Sequence, residues 1–596
     1  MARTSHAARP APTRTPSRST PSGGRAATAD GQWPMAAKNW QNTRFSGLAQ
    51  INRSNAGQLK LAWTFATGVK KGQEAAPIVV GTTMYVVTPY PNILYALDLT
   101  KAGTPAVLKW KYIPKTIPAA QGVACCDVVN RGAVYSDGKV IINTLDGQTI
   151  AVDAASGREV WKTRVADIQI GETVTMSPLV ARGKVFVGNS GGEMGVRGWI
   201  KALDVSTGRL LWTAYSTGPD ADVKIGPRFR AFYPSERGKD LGVQTWPPGG
   251  WKIGGGNVWG WVSYDPELNL IYHGTGNPGV WNPELRPGDN KWTCGVFARD
   301  PDTGEARWFY QWSPHDLFDH DGINENLVLD LPIGGATRKV LLTAQRTGYV
   351  YLLDRATGQV LSATPFVRVT AYKGVDLKSG RMRPNQEKEP HTGEVVRDIA
   401  PASPGGKDWQ PTAYSPRTGL FYIPHQTLSM DYEGVDANYI EGTPYVGVNE
   451  KMYPDPVRPG DGSRGEFTAW DPIRARPVWE IKERFPCWSG TVVTGGDVAF
   501  YGTMDGWFKA VDARTGKLLW RFKTESGVIG QPVTYIGPDG KQYVAVISGV
   551  GGWAGAIVSA QIDPRDRGAA LGFVNAMTDL PKASPPGDKL YVFALP

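Results

Sequence analysis

Apolar and polar residues alternate in short runs along this chain, and the runs are interrupted by Asp, Gly and Pro instead of continuing at helical spacing. Such a pattern predicts short strands joined by tight turns. One phrase recurs: an apolar pair, Asp, a turn ending in Thr-Gly or Ser-Gly, and then Trp. It is written as AVDAASGREVW (151–161), ALDVSTGRLLW (202–212), ARDPDTGEARW (298–308) and AVDARTGKLLW (510–520). YALDLTKAGTPAVLKW (95–110), LLDRATGQVLS (352–362) and AWDPIRARPVW (469–479) are weaker copies. Each copy predicts a β-hairpin in which Asp and Gly shape the turn and the returning strand carries Trp. Repetition of hairpins at this spacing predicts an all-β propeller. The spacing leaves the blade number open, because long insertions follow residue 212 and separate 362 from 469. The closing KLYVFALP (589–596) reads as one more strand, suited to completing a blade with the N-terminal part.

Composition agrees with this picture. Across 596 residues, 41% hydrophobic and 20% charged content predicts a globular chain, and the 72 Gly, 46 Pro and 22 Trp favour turns and sheets. The formal net charge of +10 invites a nucleic-acid reading. Part of it, however, sits in Arg3, Arg9, Arg14, Arg18 and Arg25, opposed only by Asp30, and no nucleic-acid motif is present. An acidic protein partner suits the charge better. Residues 1–31 read as a disordered or processed extension without an apolar run long enough for a signal peptide, and 32–596 as the folded domain. No apolar run is long enough to predict a membrane span.

Four cysteines are present. The adjacent pair Cys125 and Cys126, taken alone, reads as two reduced core thiols, since neighbours reach each other only through a strained ring. The chain has no C-x-x-C-H motif and therefore no covalent c-type haem. Cys294 and Cys487 read as buried thiols, with a mutual bridge left open.

Several segments, in shared order, resemble the pyrroloquinoline quinone (PQQ)-dependent methanol and ethanol dehydrogenases. They include KGQEAAPIVV (71–80), CCDVVNRG (125–132), GETVTMSPLV (171–180), GNSGGEMGVRG (188–198), GGNVWGWVSYDP (255–266), GTGNPGVWN (274–282), SPHDLFDHDGINEN (313–326) and CWSGTVVTGGDVAFYGTMDG (487–506). The resemblance spans nearly all of 32–596 and implies an eight-bladed propeller. It also implies a vicinal disulfide between Cys125 and Cys126, stacked on one face of the quinone, with the Trp259 indole on the other face.

The resemblance places Glu74, Arg131, Thr175, Ser190, Gly191, Gly192 and Arg346 around the cofactor's carboxylates and carbonyls, with Trp409 near the ring. Guanidinium and hydroxyl donors suit a tricarboxylate, and successive glycines let the backbone approach it. Asp408 departs from the Asn often found at its position, which removes that cofactor contact from the expected set.

Glu193, Asn277 and Asp319 match the family's metal ligands, all oxygen donors as a hard cation requires. Asp321, two residues beyond Asp319, adds a carboxylate where calcium-type members carry a small residue. This implies a lanthanide ion, with Ca²⁺ as the alternative. Asp319 is then the catalytic base, taking the alcohol proton as hydride passes to the quinone, and Arg346 stabilises charge there.

The implied activity is oxidation of a short primary alcohol, methanol or ethanol, to the aldehyde, with electrons passing to a soluble c-type cytochrome in the periplasm. A homodimer is left open. Trp281, Leu317, Phe318 and Trp553 are candidates to line the alcohol pocket. The alternatives are a quinoprotein polyol or sugar dehydrogenase, and a non-enzymatic propeller scaffold, which explains the repeats but not the Cys pair or the DHD run.

Overall fold

The computed structural model describes residues 30–101, 103–457 and 462–596. The extension read in residues 1–31 falls almost wholly outside them. Among the described residues, eight sheets each contain four antiparallel strands in sequential order or a close variant of it, one of them with a fifth strand added, and these are the propeller blades. Blade 1 is built from Ile78–Val80, Thr83–Val87, Leu94–Asp98 and Val107–Tyr112, and blades 2 to 5 follow the same plan up to Pro365. Blade 6 begins at Ala413–Ser415, and blade 7 spans Val492–Thr494 to Leu518–Lys523 with Phe45–Ser46 added in parallel. Blade 8 joins the chain ends: Lys60–Ala66 pairs antiparallel with Lys589–Ala594. The strand read in the last residues does close a blade.

The repeated phrase serves as the joint between blades. In each copy Asp closes the turn by accepting backbone N–H groups, as Asp204 does from Ser206 and Thr207 at 3.0 and 2.9 Å. The Trp of one blade then lies over the turn glycine of the next: a β-carbon on Gly208 would come within 2.5 Å of the Trp161 ring. Trp110, Trp161, Trp212, Trp308 and Trp479 each donate the indole N–H to the carbonyl of the residue after the next blade's Asp, at 3.1–3.2 Å. A large apolar face and one polar handle suit Trp to such a joint. Two of the weaker copies depart together. Ser362 stands where blade 5 would carry Trp, and the corresponding turn of blade 6 has Ala475 at φ 50° in place of Gly. With no indole to seat, that turn has room for a β-carbon.

These turns all lie between the third and fourth strands. The connections leading into each first strand, and the loops between second and third strands, lie at the opposite end of the blades. Those loops carry the chemistry. Two added sheets also lie in the insertions, the hairpin Tyr372–Asp376 with Arg381–Pro384 and the three-stranded Val395–Ile399, Leu428–Gly434 and Val448–Pro454. No described helix is long and apolar enough to cross a membrane.

Candidate active site

At that end, one open cleft is lined by loops from several blades. It gathers residues from position 74 to position 553. Glu74 precedes blade 1, Cys125, Cys126 and Arg131 precede blade 2, and Thr175 precedes blade 3. Ser190, Gly191, Gly192 and Glu193 lie between two strands of blade 3, and Asn277 lies at the equivalent place in blade 4. Trp259, Asp319, Asp321, Arg346 and Trp409 complete the expected cofactor and metal set, all of it in this one cleft.

The Cys125–Cys126 disulfide is formed, whereas Cys294 and Cys487 are free buried thiols. The loop carrying the disulfide is tied down by Asp127, whose carboxylate accepts from the Gly552 N–H at 2.9 Å and the Ser559 hydroxyl at 2.6 Å. Glu193 places a carboxylate oxygen within 4.8 Å of both sulfurs. The oxidised sulfurs are not thiolates, so this trio is not a thiolate metal site.

One wall is a bonded network. Arg131 pairs with Glu74 at 3.1 Å and donates to the Thr175 hydroxyl at 2.8 Å, which lies 3.0 Å from that of Ser190. Its guanidinium sits 4.8 Å from the Trp259 ring centre and 5.1 Å from that of Trp409. Burial pushes the Glu74 carboxyl up to about 8 against the pull of Arg131. Gly191 has φ 119°, and a β-carbon there would lie 2.3 Å from the Gly171 carbonyl oxygen, so only glycine fits.

The other end is acidic. Arg346 meets Asp319, Asp321 and Asp408, each at 3.1 Å. Asp319 sits at φ 60°, a conformation held by the Asp316 carboxylate, which accepts from the N–H groups of Phe318 and His320 at 3.3 and 3.1 Å. The Asn277 N–H donates to Asp321. Burial pushes Asp319 well above the usual carboxylate range and Asp321 to about 7, in both cases against Arg346, and it raises Glu193 as well. Arg346 is buried too, but Asp408, Asp321 and Asp319 together hold it firmly charged.

Residues 33–375 and 463–544 match the family described as PQQ, glucose/ethanol/alcohol dehydrogenase, beta-propeller domain. The chain belongs to that family. It is 52% identical over 568 residues to the lanthanide-dependent methanol dehydrogenase of Methylacidiphilum fumariolicum (strain SolV), covering 95% of this chain and 92% of that one. It is 44% identical to subunit 1 of a methanol dehydrogenase [cytochrome c] of Methylorubrum extorquens, over 95% and 91% of the two chains. A europium-containing methanol dehydrogenase structure superposes with TM-score 0.94 at 52% identity, covering 96% of this chain and 99% of that one. The chain is thus a PQQ-dependent dehydrogenase of the alcohol-oxidising kind.

The donor set fits a quinone and a hard cation. Asp319 Oδ1, the Trp409 indole N–H and both amide atoms of Asn257 are buried in the cleft without a protein partner. Buried polar groups left in this state call for a ligand. The structure also adjusts the expected list. Leu317 and Phe318 do not line the cleft: both are buried in the core, where Phe318 packs on His320, Tyr372 and Tyr432. Trp281 and Trp553 do line it. Asp408, set aside because of its departure from Asn, is a direct partner of Arg346.

Sequence reasoning passed over Asn257, Val129, Thr173 and Trp488, which also line the cleft. Asn257 was within reach. It lies two residues before Trp259, with Val258 buried in the core between them, so alternation puts 257 and 259 on the same side.

Proposed function

We propose that this chain oxidises methanol or another short primary alcohol to the aldehyde, using PQQ and a lanthanide ion in the cleft. We further propose that it works in the periplasm and hands its electrons to a c-type cytochrome. The observation that carries the reading is the pair Asp319 and Asp321, both buried and both drawn to Arg346 in a cleft that also holds Glu193 and Asn277. Three carboxylates and a carboxamide form an oxygen set suited to a trivalent ion.

Bound PQQ supplies a two-electron oxidant, and the rest of the chemistry falls to the chain's own groups. Asp319 keeps Oδ1 without a protein partner while Oδ2 is held by Arg346, so Oδ1 is the oxygen that takes the alcohol's hydroxyl proton. Arg346 provides fixed positive charge beside the reacting centre, and the Trp281 and Trp553 rings present an apolar wall to the alkyl group. Arg131, Thr175 and Ser190 supply donors for the cofactor's carboxylates, and the disulfide and Trp259 supply flat faces for its ring. The name of the Methylorubrum extorquens relative, a methanol dehydrogenase [cytochrome c], supports the cytochrome, and the chain's net positive charge suits an acidic carrier.

The test is reconstitution of metal-free protein with PQQ and either La³⁺ or Ca²⁺, following dye reduction by methanol, ethanol and glucose. La³⁺ with a primary alcohol is expected to give the highest turnover. Asp321→Ala is expected to weaken La³⁺ binding by about 10–100-fold, the usual cost of losing a metal-site partner. Full activity with Ca²⁺ that is indifferent to Asp321→Ala would remove the lanthanide assignment, and turnover of glucose alone would remove the alcohol.

A further inference from the structure

Asn257 has no role in the reading above. It is 3% exposed, lines the cleft, and leaves both its amide nitrogen and its amide oxygen without a protein partner. Structural asparagines in comparable loops of this propeller behave otherwise. Asn130 donates to the Asn143 carbonyl and accepts from the Gly132 N–H, and Asn143 donates to the Met176 carbonyl and accepts from Thr149. A carboxamide that only packed would meet its needs in the same way.

The surroundings of Asn257 belong to the acidic end of the cleft. A β-carbon placed on Gly192 would lie 3.0 Å from the Asn257 amide oxygen and 3.6 Å from that of Asn277, so the two oxygens converge on one small region next to Glu193. The backbone ties them together: the Gly276 N–H donates to the Asn257 carbonyl at 2.8 Å, and the next N–H, of Asn277, goes to Asp321. The opposite wall, by contrast, has Arg131, Thr175 and Ser190 bonded to one another.

We propose that Asn257 is a further ligand-holding residue, presenting its carboxamide oxygen to the cation alongside Asn277. The proposal rests on the quinone–cation reading of the cleft. A neutral oxygen donor adds to the coordination of a hard ion without adding to the repulsion among Glu193, Asp319 and Asp321. A tricarboxylate cofactor would be served by the amide N–H instead.

The experiment is a calorimetric titration of La³⁺ into metal-free, PQQ-loaded protein, comparing wild type with Asn257→Leu, Asn257→Asp and Asn257→Ser. Asn257→Leu removes the oxygen in similar volume and is expected to weaken La³⁺ binding by about 10–100-fold. Asn257→Asp keeps an oxygen and is expected to retain most of the affinity. Wild-type affinity in the Leu variant overturns the proposal, and so does an Asp variant that loses as much as Leu. The melting temperature of each metal-free variant reports folding. If Asn257→Leu does not fold, Asn257→Ser against Asn257→Asp makes the same comparison. Failure of the wild type itself to bind La³⁺ would remove the underlying reading, whereas a wild type that binds beside an unaffected Leu variant removes this inference alone.

Discussion

The two ends of the cleft each bury one arginine, and the two arginines are partnered in opposite ways. Arg131 has one carboxylate, Glu74, and a chain of hydroxyls in Thr175 and Ser190. Arg346 has three carboxylates, and Glu193 lines the same cleft. The first end is nearly balanced and offers donors, so it suits an anionic ligand. The second has negative charge beyond what one guanidinium can match, and in a low-dielectric setting that surplus needs a proton or a cation. One cleft is therefore built to take a cofactor and a metal ion of opposite charge side by side.

The sharpest way to break this comparison is at the acidic end. Asp319→Asn keeps shape and removes the base, and turnover is expected to fall by about 10²–10⁴-fold while PQQ absorbance in the reconstituted protein persists. A variant within tenfold of wild type would show that Asp319 is not the base. At the balanced end, Arg131→Gln removes a charge-assisted donor. PQQ affinity is expected to drop by about 10–100-fold, in line with roughly 1.5–3 kcal/mol for hydrogen bonds to charged groups. The La³⁺-over-Ca²⁺ preference, measured on the same variant, should stay unchanged. A shift in that preference would merge the two ends into one unit.

Acidity separates the ends from the rest of the molecule. In metal-free protein burial raises Glu74 and Glu450 to about 8 and Asp321 to about 7. A carboxyl whose folded pKa exceeds its unfolded one adds stability below the unfolded value and loses it as pH rises through the folded one. The buried His273 and His320, held down to about 3 and about 4, act with the opposite sign, but only below the ordinary histidine range. Between pH of roughly 6.5 and 8 the carboxyls therefore decide, and the melting temperature of metal-free protein should fall. La³⁺ and PQQ should flatten that slope. A melting temperature that rises across the window without ligand would mean that these buried carboxyls do not govern stability there.

The smallest effects are expected at the far end of the blades. Gly208→Ala drives a β-carbon into Trp161 and should cost about 1–3 kcal/mol in denaturant unfolding. Ala475→Gly, at the turn that follows the Trp-less strand, should change stability by less than about 1 kcal/mol. Equal effects at the two turns would show that the indole is not what requires glycine.

The blades were legible because their logic is local. Asp, Gly and Trp act across a single hairpin and its neighbour, within a span of about fifty residues, so the repeat itself announces the joint. Even its failures could be read, since Ser362 and Ala475 depart together. The blade number was not legible from spacing, because the insertion after 212 forms short helical turns and the one between 362 and 469 forms strands that belong to no blade. In the cleft, resemblance to a family pointed to Glu193, Asn277, Asp319 and Asp321, and all four came together. It did not reach Asn257, and it set Asp408 aside.

Residue types and their order along the chain determined the hairpins, the joints between blades and the supply of oxygen donors. Only the tertiary structure decided which end of each blade those donors share. It alone set Asp408 against Arg346, sent Phe318 into the core and left Asn257 without a partner. The reason is that charge balance in a buried cleft depends on every group that reaches it, and here those groups come from positions as far apart as 74 and 553.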